Sequence, residues 1–241
     1  QNPPLQDKQD ENYKPRLTGY LRFDGYQPSY DLHVEFSIPK LLFNQSLQEL
    51  SDTDFDRAVS ILKFKLQKMG IEVSDQAIGN STISRVHFGK NIPLPSPITA
   101  QDALEELYKS DVGRGKHINM RHYENGGQAL YYYASSCNII FYDKLRDIAT
   151  PRNKAVDKDK FKQEKLIVGN GEKQQELLRF EVRFAKQQSL DAVLSGILGK
   201  KIKGITFKEI FNRDLCRKII LKSWQDIIGS PASQLALKMD M

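Results

Sequence analysis

At 241 residues the chain has room for one large domain or two modest ones, each with a real hydrophobic core. Hydrophobic residues make up 39% and charged residues 27%, as in ordinary soluble globular proteins, with no internal repeat and no low-complexity tract. Lys and Arg outnumber Asp and Glu by 36 to 30, so the net charge is +6 and the pI about 9.1; this suits a nucleic-acid partner and equally suits many proteins without one.

Cys137 and Cys216 are the only cysteines, far apart and outside any Cys-x-x-Cys spacing. That argues against a disulfide scaffold and a structural zinc site, and it fits a reducing cytoplasm. There is no run of eighteen apolar residues and no signal-peptide core, so no membrane association is expected. The chain opens on Gln1 rather than methionine, as a piece of a longer chain would.

Residues 1–16 are polar and Pro-containing, and read as a flexible arm. From Leu17 the sequence alternates. Leu17 to Phe23 and Tyr30 to Phe36 predict a β-hairpin turning at Asp24-Gly25. Its second strand places Leu32, Val34 and Phe36 on one side, and Asp31, His33 and Glu35 on the other. Pro39 ends the strand. A helix is predicted from about Asp54 to Met69, with an apolar stripe of Phe55, Val59, Leu62, Leu66 and Met69 and a stop at Gly70.

After a turn at Gly79-Asn80, Thr82 to Phe88 predicts a third strand, with Arg85 and His87 on its polar side. Thr99-x-x-Asp102 resembles a capping box and opens a helix ending near Lys109. A Gly- and Arg-containing loop covers Val112 to Lys116, and a hairpin then turns at Asn125-Gly126-Gly127. Asn138 to Leu145 is the next strand, with Ile139 and Phe141 on one face and Ile140, Tyr142 and Lys144 on the other. Residues 150–176 read as a charged connector. In Leu177 to Phe184, residues Leu178, Phe180, Val182 and Phe184 face inward, and Arg179, Glu181 and Arg183 face outward. The remainder, 191–241, is predicted helical, with a capping box at Thr206-x-x-Glu209 and a stripe of Leu215, Ile219, Ile220, Trp224 and Ile227.

This order predicts an α+β fold: an antiparallel sheet with helices on one face, a domain over 17–190 and a helical C-terminal part. If helices cover the apolar face, the other face gathers His33, Glu35, Arg85, His87, Tyr142, Lys144, Arg179, Glu181 and Arg183. A solvated sheet face is one reading of such a set. The other is a phosphoryl-transfer site. Glu35, His87 and Glu181 form a carboxylate–imidazole–carboxylate set suited to Mg²⁺ or Mn²⁺. Tyr142 beside the Lys144 ammonium is a nucleophile pairing, although amphipathic packing produces the same pattern. The arginines would offset the charge of a DNA strand.

Four blocks, in order, resemble the rolling-circle replication initiators of the gene-two type from filamentous phages and plasmids. They are Val34-Glu35-Phe36-Ser37-Ile38-Pro39-Lys40, Thr82-Ile83-Ser84-Arg85-Val86-His87-Phe88, Phe141-Tyr142-Asp143-Lys144 and Leu178-Arg179-Phe180-Glu181-Val182-Arg183. The resemblance implies a Rep-like nicking-enzyme fold related to the HUH superfamily. It also implies metal-dependent nicking and strand transfer of origin DNA in a bacterial host cytoplasm, through a 5′-phosphotyrosine at Tyr142. Lys144 would position the phosphate. Glu35, His87 and Glu181 would hold the ion, with His33 as a possible supporting neighbour, and Lys40, Arg85, Arg179 and Arg183 would contact DNA. A host helicase is implied as partner by the resemblance alone.

His87 stands where the family carries aspartate, and no His-hydrophobe-His pair is present. Some related plasmid initiators carry their tyrosine where this chain has the core-facing Phe180. The alternatives are a non-catalytic DNA- or RNA-binding module and an initiator that melts its origin without cutting. His117 and His122 read as surface or DNA-side histidines, and Tyr131, Tyr132 and Tyr133 as hairpin packing or base-stacking residues. Lys200-Lys201-Ile202-Lys203 reads as a solvated loop or a phosphate contact.

Overall fold

A computed structural model describes residues 13–23, 25, 27–109, 118–124, 127–149 and 175–228. The arm before Tyr13, Asp24 of the first turn, the loop through Val112 to Lys116, His117, Asn125-Gly126 and the bulk of the 150–176 connector lie outside them.

The chain divides into two compact units: residues 1–80 with 151–170, and residues 81–150 with 171–241. In the first, strands β1 (Arg16–Phe23) and β2 (Pro28–Glu35) form the expected hairpin, an antiparallel pair in which Arg16 faces Glu35 and Thr18 faces His33. They make a two-stranded sheet of their own. Helix α1 (Ile38–Phe43) follows, with Pro39 in its first turn, where a missing N–H costs nothing. Ser51 and Asp54 cap a short 3₁₀ turn that leads into α2 (Phe55–Lys68). Val59, Leu62 and Leu66 bury the stripe read from the sequence. Helix α3 (Asp75–Gly79), which no expectation covered, leads into the turn expected at Gly79-Asn80; Ser74 caps it, its hydroxyl accepting from the Ala77 N–H. The Ser-Asp pair was its sequence signal.

The second unit is built on a five-stranded antiparallel sheet of order β3-β7-β6-β5-β4: β3 (Val86–Pro93), β4 (Ile118–Glu124), β5 (Ala129–Ala134), β6 (Asn138–Asp143) and β7 (Leu177–Phe184). Alternation along β7 divides the sheet as predicted. Leu178, Phe180, Val182 and Phe184 are fully buried on one face, with Phe88, Ile139, Phe141 and Leu130 from neighbouring strands. Helices α4 (Ala100–Lys109) and α8 (Arg213–Ile228) cover that face. Tyr123 and Tyr132 donate their hydroxyls to the Leu104 and Leu107 carbonyls of α4, and Trp224 of α8 packs edge-on against Phe141 and Phe180. Tyr132 is therefore a core tyrosine that satisfies its polar end at a helix terminus.

Both predicted capping boxes form. Thr99 and Asp102 exchange bonds at the start of α4, and Thr206 and Glu209 do so at α7 (Phe207–Ile210). Helix α6 (Gln187–Leu198) buries Leu190 and Leu194, and ends on Gly199 in the left-handed conformation. The fold is α+β with antiparallel sheets and a helical C-terminal part.

Two boundaries differ from expectation. Strand β3 starts four residues later and runs to Pro93, because Thr82 instead bridges to Thr206. As β3 is an edge strand, Pro93 ends it without breaking an interior ladder. Strand β6 stops at Asp143, whose carboxylate accepts from the Arg146 N–H and opens helix α5 (Lys144–Ala149).

Candidate active site

The register of the sheet fixes which polar side chains meet. On the face opposite the helices, Asn91, Arg179 and Tyr142 stand in one cross-strand row; Gly89, Glu181 and Ile140 in the next; His87, Arg183 and Asn138 in the third. Directly opposed residues on neighbouring strands bring their side chains within contact distance. Tyr142, Arg179, Glu181, Arg183 and His87, all named from the sequence, therefore belong to one patch.

Glu181 is its centre. It is 8% exposed, and it accepts from Arg183 Nη2 at 2.8 Å through Oε2 while Oε1 lies 3.6 Å from His87 Nδ1. Burial alone would raise its pKa, but Arg183, Arg179 and His87 outweigh it and hold the carboxyl below its ordinary 4.5. A depressed folded pKa means that the contribution is complete above 4.5 and is lost as the pH falls through the folded value. Glu181→Gln is expected to lower stability by about 1–2 kcal/mol at neutral pH, the partial exposure of Arg183 keeping the loss modest. In urea titrations the gap between variant and parent should close in acid, and a gap independent of pH would contradict the arrangement.

Tyr142 is half-buried opposite Arg179. Burial pushes its phenol above the ordinary 10.0 and the Glu181 carboxylate adds to the rise; Arg179 and Arg183 oppose it without prevailing. A neighbouring cation eases the ionisation of a phenol, but here desolvation is the larger effect. In an ultraviolet pH titration of the metal-free protein, the component missing from Tyr142→Phe is expected to be among the last tyrosines to ionise. Ionisation at or below the ordinary value would contradict this burial.

Lys144 departs from its predicted place. It is the first residue of α5 rather than a strand residue, and it is buried. Its Nζ lies 3.8 Å from Asp147 and 5.8 Å from the centre of the Tyr142 ring. The pairing of tyrosine and lysine survives because the strand-to-helix turn returns the chain to that ring. The face is not uniformly solvated: His87 is exposed, and Tyr142, Arg179 and Arg183 are half-buried. Glu181 and Asn91 are buried, and each accepts a hydrogen bond from an arginine of β7, Arg183 and Arg179 respectively.

Arg85 is exposed just before β3. Glu35, His33 and Lys40 belong to the other unit. Glu35 and His33 are exposed on the two-stranded sheet rather than on the five-stranded one, with His33 packed against the Tyr20 ring at 4.5 Å, and Lys40 sits in α1. His122 faces Tyr131 across β4 and β5. The Tyr131 and Tyr133 rings lie nearly parallel, with centroids 5.9 Å apart. Gly89 and Asn91 were missed because the predicted strand ended at Phe88; their signal was the continued alternation from His87.

For a divalent cation, the five-stranded sheet offers the His87–Glu181 pair, nitrogen and oxygen donors of the right chemistry. Among the described residues no group of three or more His, Cys, Asp and Glu side chains stands together as a metal site.

Over residues 20–197 the chain matches the family of phage replication-associated proteins defined by the N-terminal part of the gene-two protein. The chain belongs to this family. Its role is that of a rolling-circle replication initiator. Comparison with curated proteins and with solved structures returned no match. The family match spans β1 through α6, and so contains every strand of both sheets apart from the first residues of β1. Among the described residues no helix is long and apolar enough to cross a membrane.

Proposed function

We propose that this initiator of the gene-two family nicks one strand of its origin DNA in the host cytoplasm, and carries the cut end covalently on Tyr142. The observation that supports this best is the placement of a half-buried tyrosine directly opposite Arg179 on a sheet face that also carries Glu181 and Arg183. A nucleophile needs its electrophile held and the developing negative charge offset, and the guanidinium groups of Arg179 and Arg183 serve both needs for a phosphodiester.

In this scheme Tyr142 Oη attacks phosphorus and loses its proton to solvent. The Oη–P bond forms as the P–O3′ bond breaks, and the departing oxygen leaves as a 3′-hydroxyl after protonation by Lys144 or water. The phosphotyrosyl link conserves the bond energy, so a later 3′-hydroxyl reverses the step without ATP. His87 and Glu181 are the proposed ligands for Mg²⁺ or Mn²⁺ on the five-stranded sheet; Glu35, the third ligand that the resemblance implies, belongs to the other unit and is proposed on the resemblance alone. Such an ion, when bound, supplies Lewis-acid polarisation of the phosphate and a positive charge that makes a buried phenol easier to ionise. Arg85 extends the contact to a flanking phosphate, Lys40 of the other unit is proposed as a DNA contact on the resemblance alone, and a host helicase would continue the opening of the duplex.

The test is incubation with single-stranded origin DNA and Mn²⁺, followed by denaturing gel analysis. A metal-dependent covalent adduct is expected. Salt-sensitive binding with no adduct under any metal would instead identify a binding module or a melting initiator.

A further inference from the structure

We propose that Gly89 and Asn91 form a seat that holds the Arg179 guanidinium flat against β3 as an oxyanion clamp on the sheet face that carries Tyr142, and that its ligand is a phosphate oxygen of the DNA backbone. The role of the clamp rests on the nicking reading above; the seat itself stands on geometry.

Arg179 pairs across β3 with Asn91, but its side chain leans towards the neighbouring row, where β3 carries Gly89. A Cβ on Gly89 would stand inside the guanidinium, 2.7 Å from Nε and nearer still to Cζ and Nη2. The absent side chain is thus a slot filled by the arginine head, a use of glycine in a strand where another group must approach closely. Asn91 fixes the rotation of the head: its Oδ1 accepts from Arg179 Nη1 at 3.1 Å, and Asn91 is itself buried.

Among the described residues the charge of the head has no direct counter-ion. Glu181, the nearest carboxylate on β7, is bonded to Arg183 and faces His87, and among the described residues Arg179 makes no ion pair. Its Nε is shielded from solvent and donates to no group of the described residues. Guanidinium offers five N–H donors in a fixed plane, and among the described residues one is used. A half-buried cation with spare donors, opposite a tyrosine, suits a tetrahedral oxyanion. The seat keeps that fork from swinging away or from joining Glu181.

Two measurements separate this role from plain packing. The first needs no catalysis: the Arg179 Nε–Hε resonance, assigned by its loss in Arg179→Lys, is followed by NMR as inorganic phosphate is added. It is expected to shift and saturate in the parent, and to shift much less in Gly89→Ala. No movement at tens of millimolar phosphate (about the weakest binding worth calling a site) would overturn the proposal.

The second measurement is the single-turnover rate of adduct formation. Gly89→Ala is expected to slow it by about 100-fold, the scale of a clamp displaced by an ångström. In a Gly89→Ala background, Arg179→Lys should cost little more, because the two changes remove one interaction. Multiplying losses, or a parent-like rate in folded Gly89→Ala, would overturn it. If Tyr142→Phe still forms the adduct while the phosphate shift persists, the nucleophile assignment fails and the seat stands.

Discussion

Tyr142→Phe is expected to abolish the covalent DNA adduct, lowering its rate of formation by at least about 1,000-fold, as removal of a nucleophile does in other covalent enzymes. The substitution takes away one oxygen and leaves the ring in contact with Lys144, so the fold should be unchanged. Origin binding should also remain, since the phosphate contacts proposed for Arg179, Arg183 and Arg85 do not depend on the phenol. The informative result is therefore a split: affinity within a few-fold of the parent, retaining its salt dependence, and no adduct. An adduct formed at the parent rate would move the nucleophile elsewhere. The burial of the phenol adds a condition. The nicking rate should rise with pH over the neutral-to-alkaline range, because the folded protein keeps Tyr142 protonated above its ordinary value.

Phe180→Ala carries the largest expected cost in stability, about 3–5 kcal/mol. Phe180 is wholly buried, stacked on Phe141 with ring centroids 4.8 Å apart, and closed over by Trp224 at 5.6 Å. These rings join β6, β7 and α8, so truncation opens a void where the sheet meets the C-terminal helix. For a chain of this size that corresponds to a fall in Tm of roughly 10 °C, measurable by calorimetry. A fall of under about 1 kcal/mol would mean that the helix does not seal this face. Because Phe180 faces α8 and Tyr142 faces away from it, a hydroxyl at position 180 would sit in the core. This burial supports the proposal of a nucleophile on β6 rather than at position 180 of β7.

Strand β7 was the most legible element. Four apolar residues alternating with Arg179, Glu181 and Arg183 determine both its conformation and its facing, since a strand places successive side chains on opposite sides. The capping boxes at Thr99 and Thr206 were legible for a similar reason: each is closed by groups three residues apart. Helix α5 was hidden. The alternation of Ile140 and Tyr142 runs on into Lys144, and what stops the strand is Asp143 capping the next turn, a competition that periodicity does not register.

The sequence by itself determined that tyrosine, arginine, glutamate and histidine lie on polar strand faces, because period-two alternation is local and needs no partner. Only the tertiary structure decided which faces meet. Pairing between distant strands put His87, Glu181, Arg183, Arg179 and Tyr142 together, while β2 and its Glu35 went to a separate hairpin sheet. Strand order depends on contacts across long stretches of chain, which no local pattern encodes. The same is true of the burial that protects the Tyr142 proton, and of the space above Gly89, which exists because Arg179 arrives there from a strand far along the chain.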